Sequence, residues 1–595
     1  MTMRVLFNGA VLVRPGGATK IDASAFQSAG VAGVGVVGLV GEATGGEPGV
    51  LQIFSSPAAA KAVLREGALA DAVSLAFNPM KDARVPGGAS SVVCVRTNAG
   101  TQASLALLDG ATTVATLKSK DYGLHTNRLS AAIATSGTGQ IVTIKFVDGQ
   151  RVSTETSSVL GGTAEMQIQY TGTGSACALT IDGTSIRTVV TGTPADGLTL
   201  NYSEFATLAD LITFVHSHPS YSCTAVTRNP YTITPRDLDY VSAQAIKAAA
   251  YDVFAKLYRV VEWVNVNSAL VTATLPTSII AMSPPDVISE TAFTGGTRGV
   301  STNAAFSSGL DLLKRLRVNQ VVSLISDDLT GEGFGSTATF TTTGINTEQH
   351  ATYCTSTVGK NERHAFIGMA GTKTEVLDYA ALTLNSFNAC LVAQRPLCLN
   401  SAGEVVEMPE WALAVIAAGA RAGSELGEPL TWKYLNIYGL SQDASWDPLV
   451  DGDAMVLGGV LMAEEVPGKG YRWVKGVTTY TRDDNDAYTE ESVVQGWKLV
   501  SYEFRTHLED LFIGRRMALS NISAIKQAAE AKLSALRDSG QIVDSVVNGA
   551  TTRAYRKLVV SGTKDQVAVS AEVSPVEGIN FMLNSLFLVP ATFTV

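Results

Sequence analysis

The chain has 595 residues, with 44 Lys and Arg against 54 Asp and Glu, a formal net charge of −10 and only 16% charged residues. An ordinary soluble domain carries about 25%, and a protein that coats nucleic acid or an anionic membrane needs a basic excess, so both are excluded as whole-surface functions. Uncharged Thr, Ser, Ala and Gly take the place of the missing charges, and a surface of that kind is expected to be covered by further copies of the chain.

Residues 1–28 read as an N-terminal arm: a short apolar strand, a Pro15-Gly16-Gly17 break, then a polar stretch. The run Val31–Val40 reads as a strand buried on both faces. Helices near 57–66 and 68–77 and the strand Ser91–Arg96 follow, so residues 29–100 open an α/β unit. Between 101 and 230 the texture changes. Asp109-Gly110, Asp148-Gly149 and Asp182-Gly183 each stand between Thr- and Val-rich runs, the sign of tight hairpins, which predicts an inserted β-rich outer domain. A helix is predicted from the Thr234 cap through Val260, on apolar steps at Leu238, Val241, Ala245, Ala249, Val253 and Leu257. Residues 231–480 then alternate as a second α/β part: strand 270–275, helix 303–316, strand 320–325, strand 365–370, helix 373–386, strand 389–394 and helix 410–422. Residues 481–585 read as a C-terminal core domain, with a long helix over 490–511 and another capped by Ser520 or Ser523 that ends at Gly540. Strands 555–560, 566–573 and 579–589 follow, and 586–595 reads as a C-terminal arm.

No chemistry emerges from the motifs. Gly33-Val-Gly-Val-Val-Gly38 matches G-x-G-x-x-G, but Gly41, Gly45, Gly46 and Pro48 forbid the helix that a dinucleotide site needs after it. His216-Ser-His218 has no third ligand beside it except Cys223, and Pro219 makes a polar turn the simpler reading. His364 reads as an edge histidine. Asp483-Asp-Asn-Asp486 lacks the Gly and Glu of a calcium loop. No metal, no cofactor and no enzyme activity are expected. The start of the chain is too short and interrupted for a signal-peptide core, and Trp411–Ala420 falls short of the ~20 residues that span a bilayer, so folding in the cytoplasm is expected. Cys94, Cys177, Cys223, Cys354, Cys390 and Cys398 are too sparse for a disulfide scaffold. In an acidic chain, residues 505–537 carry Arg505, Arg515, Arg516, Lys526, Lys532 and Arg537 against Glu509, Asp510 and Glu530. That excess is either a solvated helix face or a contact with an acidic partner.

Several segments resemble the tail sheath proteins of contractile-tailed bacteriophages. Gly33–Ala43 is similar to that family's opening core strand, and Tyr122-Gly123 with Asn127-Arg-Leu-Ser130 to the entry into its inserted domain. Gly295-Gly296-Thr-Arg-Gly299 resembles its glycine loop. Arg395-Pro396 with Met408–Gly419 resembles its linker and Ala-rich helix, and Gly470–Gly476 completes the likeness. The resemblance implies an α/β (α+β) core built from N- and C-terminal parts of the chain, with an inserted β-rich domain and extended terminal arms. It implies a structural subunit of a virion tail, assembled in the host cytoplasm, that stacks as hexameric rings around a tail tube and contracts to drive the tube through the host envelope. Partners would be other copies, the tail tube protein, and baseplate and tail terminator proteins, with no nucleic acid and no membrane. The arms would add strands to neighbouring subunits through Val5, Phe7, Val11 and Val13 and through Phe587, Val589, Phe593 and Val595. Arg515, Arg516, Lys526, Lys532 and Arg537 would face the tube. Cys177 and Cys223, in the presumed outer domain, are candidates for a disulfide after lysis, against the plainer reading of six free thiols. A sheath from a bacterial contractile injection particle fits the same residues. A capsid or cell-surface β-rich module on an α/β scaffold, and an α/β enzyme, remain as other classes.

Overall fold

The Val- and Leu-rich run from 36 to 41 has no polar side chain to leave in water, and the fold buries it. The computed structural model describes residues 5–7, 10–12 and 35–580, apart from 86, 150, 228, 277–281, 326–338, 517, 548–549 and 564. In it this run is strand β1 (Val36–Gly41), inside a six-stranded sheet. The other strands are β2 (Leu51–Phe54), β3 (Ser91–Arg96), β4 (Gln320–Ser323), β5 (His364–Gly368) and β6 (Ala389–Val392). Their order is β6–β5–β4–β1–β3–β2, all parallel except the β2–β3 pair. One sheet thus draws strands from both sides of the long intervening segment, from 36–96 and from 320–392.

Helices cover both faces, as a parallel sheet requires. Helix α1 (Ala68–Phe77) and helix α3 (Glu410–Gly423) share one apolar cluster with Leu39, Cys94 and Phe366. Helix α2 (Asn303–Leu313) packs on the opposite face with Val40, Val95 and Ile367. Every residue of α3 from Glu410 to Ala422 is buried, which is what a helix apolar on all sides must do. Its Gly419 lies so close to α1 that a Cβ there would come 2.6 Å from the Ala76 carbonyl oxygen. Gly38 has a similar role: a Cβ would meet Val318 at 2.9 Å, so this glycine seats a side chain on the sheet and cradles no phosphate.

Each Asp-Gly pair sits at a hairpin turn. Ser104–Asp109 pairs with Thr112–Ser119, Gly139–Asp148 with Arg151–Thr156, and Ala176–Ile181 with Ser185–Thr191. The helix read over 234–260 is a correction. Thr234 and Asp237 do form a capping box, but it closes only the 3-10 turn Pro235–Asp237. Val241–Ala245 is then taken up as a strand beside 176–181, Tyr251–Val253 pairs with Met166–Tyr170, and a helix begins only at Lys256 and runs to Asn267. Pairing to a waiting sheet edge outweighs a modest helical preference. The boundary at 230 shifts for the same reason. Leu257, Val260, Val271 and Phe293 close an apolar cluster with Leu107, Leu117, Ile133 and Val142, so the segment that builds these cores runs on to about residue 293.

The C-terminal layer is built of helix α4 (Glu491–Phe512), helix α5 (Leu519–Asp538) and the hairpin β7 (Tyr555–Thr563)–β8 (Gln566–Val573). Helix α5 turns Ile525, Ala529, Leu533 and Leu536 inward as its spacing predicted, and Gly540 beyond it has φ 75°. Of the strand expected over 579–589, Ile579 and Asn580 lie outside any strand, and 581–589 lie outside the described residues. Among the described residues, no helix is long and apolar enough to cross a membrane.

Candidate assembly site

Helix α4 carries two seams, and both follow from its spacing. Glu491, Gln495, Lys498, Tyr502, Arg505 and Glu509 recur at alternating steps of four and three, so they form one stripe. All six are polar, and each meets a polar group of the core. Gln495 Nε2 donates to Glu491 Oε1 at 2.7 Å and Gln320 Nε2 donates to Gln495 Oε1 at 2.7 Å. Arg421 stands 4.0 Å from Glu491. Lys498 Nζ donates to the Arg363 carbonyl at 3.0 Å and lies 3.3 Å from His364 Nδ1, and His364 Nε2 lies 3.2 Å from Cys390 Sγ. The Arg317 guanidinium lies over the Tyr502 ring, 3.8 Å from its centre. Arg505 grips both oxygens of Glu362, and Lys360 Nζ pairs with Glu509 at 2.6 Å. Burial grades along the stripe: the Glu491 side chain is 0% exposed, Arg505 23% and Glu509 36%. Burial pushes the Lys498 amine down to about 7 and the Glu491 carboxyl up, whereas Glu362 raises Arg505.

The opposite seam is apolar. Val500 and Phe504 pack with Leu533, Leu536, Ile542 and Ala554. Beside it two open grooves run between α4 and β8. One, of about 420 Å³, is lined by Trp497, Val500, Leu533, Ala571 and Val573. The other, of about 590 Å³, is lined by apolar Leu508, Phe512, Ile522, Ile525 and Val567 and by charged Arg505, Glu509, Arg515, Arg516 and Asp565. Phe504 and Val569 line both. Among the described residues, β7 and β8 pair only with each other, so each keeps a backbone edge without a strand partner.

The residues singled out in the sequence are scattered over the fold. Val5, Phe7 and Val11 stand in a short hairpin, Val5–Phe7 against Ala10–Leu12. Val13, Phe587, Val589, Phe593 and Val595 lie outside the described residues. Of the five basic residues, Lys532 pairs with Glu503 at 2.8 Å and Arg537 with Asp544 at 2.7 Å. Arg515, Arg516 and Lys526 are exposed and make no ion pair among the described residues, and Ile513 and Leu519 beside them are also exposed. Cys177 and Cys223 are free and buried in one apolar cluster with Tyr221, and burial pushes the Cys223 thiol up to about 12. The other four cysteines are also free and buried.

The remaining motifs are structural. Residues 36–41 are themselves strand β1, with no helix directly after it. His216 lies in the last turn of a helix, Leu208–Ser217, and His218 caps it; each Nδ1 accepts a backbone N–H, from Cys223 and Ser220. His364 is fully buried at the α4 seam. Among the described residues, no group of three or more His, Cys, Asp or Glu could hold a metal ion. The polar stripe of α4 was missed, although its four-three spacing was there to be read, because a polar face on an amphipathic helix reads by default as solvated.

No family model matches the sequence. Curated relatives do match over nearly its full length. It is 25% identical over 611 aligned positions to a tail sheath protein of Bacillus phage SP01, covering 99% of this chain and 97% of that one. A tail sheath protein of Staphylococcus phage Twort is 22% identical, covering 89% and 91%. Among solved structures, a sheath tail protein from Listeria innocua matches in fold with a TM-score of 0.53 at 12% identity, covering 91% and 92%. The resemblance read from the residues holds: over nearly its whole length the chain is similar in sequence to tail sheath proteins of phages, and it is similar in fold to a sheath tail protein.

Proposed function

We propose that the chain polymerises as stacked hexameric rings around a tail tube, with its terminal arms joining each subunit to its neighbours, and that it does structural rather than enzymatic work. The observation that carries the arm reading is the β7–β8 hairpin: two strands with open edges, flanked by open grooves, in a chain whose two ends are apolar and strand-forming. Strand addition from a neighbour satisfies the backbone groups at such an edge, and the grooves receive alternate side chains. In this reading residues 101 to about 300 form the outer domain, and the sheet with α1–α3 forms the core. The C-terminal layer faces the tube through Arg515, Arg516 and Lys526. Lys532 and Arg537, already neutralised within the chain, contribute less. Assembly would take place in the host cytoplasm, with baseplate and terminator proteins at the two ends of the tube. Contraction would be a switch between two packings of the same subunits. The test is removal of residues 1–20. A soluble, folded chain that no longer forms striated tubes by electron microscopy is expected, and normal tubes from that truncation would overturn the arm reading.

A further inference from the structure

We propose that the segment inserted in the core bends at one place, a hinge where the chain passes residues 163–165 and 254–256, and that it is held rigid where it joins the core. The segment consists of two units, one set inside the other. Residues 103–144 and 257–293 build one apolar cluster, and residues 166–255 build the next. The first unit, the base, stands on the core, and the second, the distal unit, stands on the base. Among the described residues, no sheet takes strands from both units. Side chains at the two junctions therefore decide which one is stiff.

At the core, Arg96 ends β3 and is only 1% exposed. Its guanidinium donates to the Gly46 carbonyl at 2.7 Å, the Tyr122 carbonyl at 3.0 Å and the Arg298 carbonyl at 3.1 Å. One charge thus joins the core, the base and the chain returning from the base. Asn98 repeats the grip: its amide donates to the Ala43 and Arg298 carbonyls at 3.0 and 2.7 Å, and its oxygen accepts from the Ala43 N–H at 3.1 Å. Asp121 of the base accepts from Arg65 at 2.8 Å and from the Gly46 N–H at 2.9 Å. There is no slack between these groups. A Cβ at Gly100 would run into the Arg96 guanidinium, and one at Gly299 into the backbone of Ala99. A cavity of about 210 Å³ does lie nearby, but Arg65 alone of its lining residues belongs to the core, so it is a pit in the base. Buried donors of this kind work in one geometry, because a tilt strands several carbonyls without partners.

The second junction is built differently. The crossing chains are Gly161-Gly162-Thr163-Ala164 and Phe254-Ala255, mostly small residues. Asp239 accepts from the Lys256 N–H at 2.9 Å, the Tyr240 N–H donates to the Met282 carbonyl, and the half-buried Tyr240 ring packs against both clusters. These contacts form a pivot. Beside it an open cleft of about 360 Å³ has Thr163 and Thr227 on one wall and Trp263 and Val266, from the helix Lys256–Asn267, on the other. Glu165 and Arg259 also line it. Arg259 donates to both oxygens of Glu165 at 2.8 and 2.9 Å, and at 23% exposed it is open to water. Room on one side of a pivot, with a solvated ion pair as the latch, is the geometry of a hinge. In stacked rings a hinge there would let distal units keep their contacts while the cores change packing. That role rests on the ring reading, whereas the hinge is a property of the single subunit.

Double electron–electron resonance on the dilute, unassembled full chain tests the hinge, with spin labels on introduced cysteines; the native thiols are all buried. The pair V152C with V189C reads the base against the distal unit, and V152C with L449C reads the base against the core. All three positions are more than half exposed. The first distance distribution is expected to be about twice as wide as the second, or wider, and equal widths or the reverse order would overturn the proposal. E165Q with R259Q removes both charges of the latch, so neither is left buried alone. It is expected to widen the first distribution further and to leave the second unchanged, and an unchanged first distribution would place the hinge elsewhere and overturn it. R96Q is expected to widen the second distribution only. N98A, which removes the other half of that grip, reads the same distance should R96Q give no soluble chain. A second distribution as narrow as in the wild type would show that these side chains are not what holds the base rigid. The ring reading fails separately, by the absence of tubes from the wild-type chain.

Discussion

The two faces of α4 make a controlled comparison, because one helix of one composition meets two kinds of partner. Toward the core it offers Glu491, Gln495, Lys498, Tyr502, Arg505 and Glu509, each matched to a named polar group. Toward the C-terminal layer it offers Val500 and Phe504 to an apolar cluster. Apolar contacts are non-directional and tolerate sliding, whereas hydrogen-bonded and ionic contacts work in one register and cost heavily in any other. The polar seam therefore fixes where α4 stands along the core, and the apolar seam holds the C-terminal layer to α4. A movement between core and C-terminal layer would be resisted most at the first seam.

The largest expected effect comes from breaking the seam at its strongest pair. Arg505→Ala leaves Glu362, a carboxylate only 3% exposed, without its main partner. A loss of about 2–3 kcal/mol in denaturant unfolding is expected. The double variant Arg505→Met with Glu362→Met should lose less than the single one, because it removes both charges together. If the two losses simply add, Arg505 and Glu362 do not act as one unit.

A smaller, pH-dependent effect is expected at Lys498. Its folded value of about 7 lies below the ordinary 10.5, so between those values the unfolded chain holds the extra proton. Stability should rise with pH across that window and fall as pH is lowered toward 7. Lys498→Met removes the group, so relative to the wild type it should gain about 1–2 kcal/mol on going from pH 9 to pH 7. Parallel stability profiles for the two proteins would show that the amine is not held in this way. The smallest effect belongs to the solvated end of the stripe. Lys360→Ala breaks a pair whose side chains are 52% and 36% exposed, and a change below about 0.5 kcal/mol is expected, shrinking further in high salt.

Local signals were the legible ones. Ala68–Phe77, Ser91–Arg96 and Gln566–Val573 have the bounds their patterns predicted, and each Asp-Gly pair turns a hairpin. What was hidden depends on residues far apart in the chain. Arg505 was counted in a basic excess open to a partner, but its counter-ion is Glu362, 143 positions away. Lys532 and Arg537 were likewise spent within the C-terminal layer. The stretch 241–253 looked helical because its apolar steps suit a helix, and only the presence of strands 166–170 and 176–181 beside it decides otherwise.

The strand order of the main sheet also governs when the chain can finish folding. β1 pairs with β3 on one edge, soon after both are made, but its other edge belongs to β4, and residues 97–319 must be synthesised in between. At about 5–20 residues per second that interval lasts roughly 10–45 s. The clusters built from residues 103–293 are contiguous in sequence and can condense during it. Throughout that time the strand at the middle of the finished sheet carries an open, apolar edge on the ribosome, so a segment buried on both faces in the mature subunit is among the earliest made and waits for β4 to be closed.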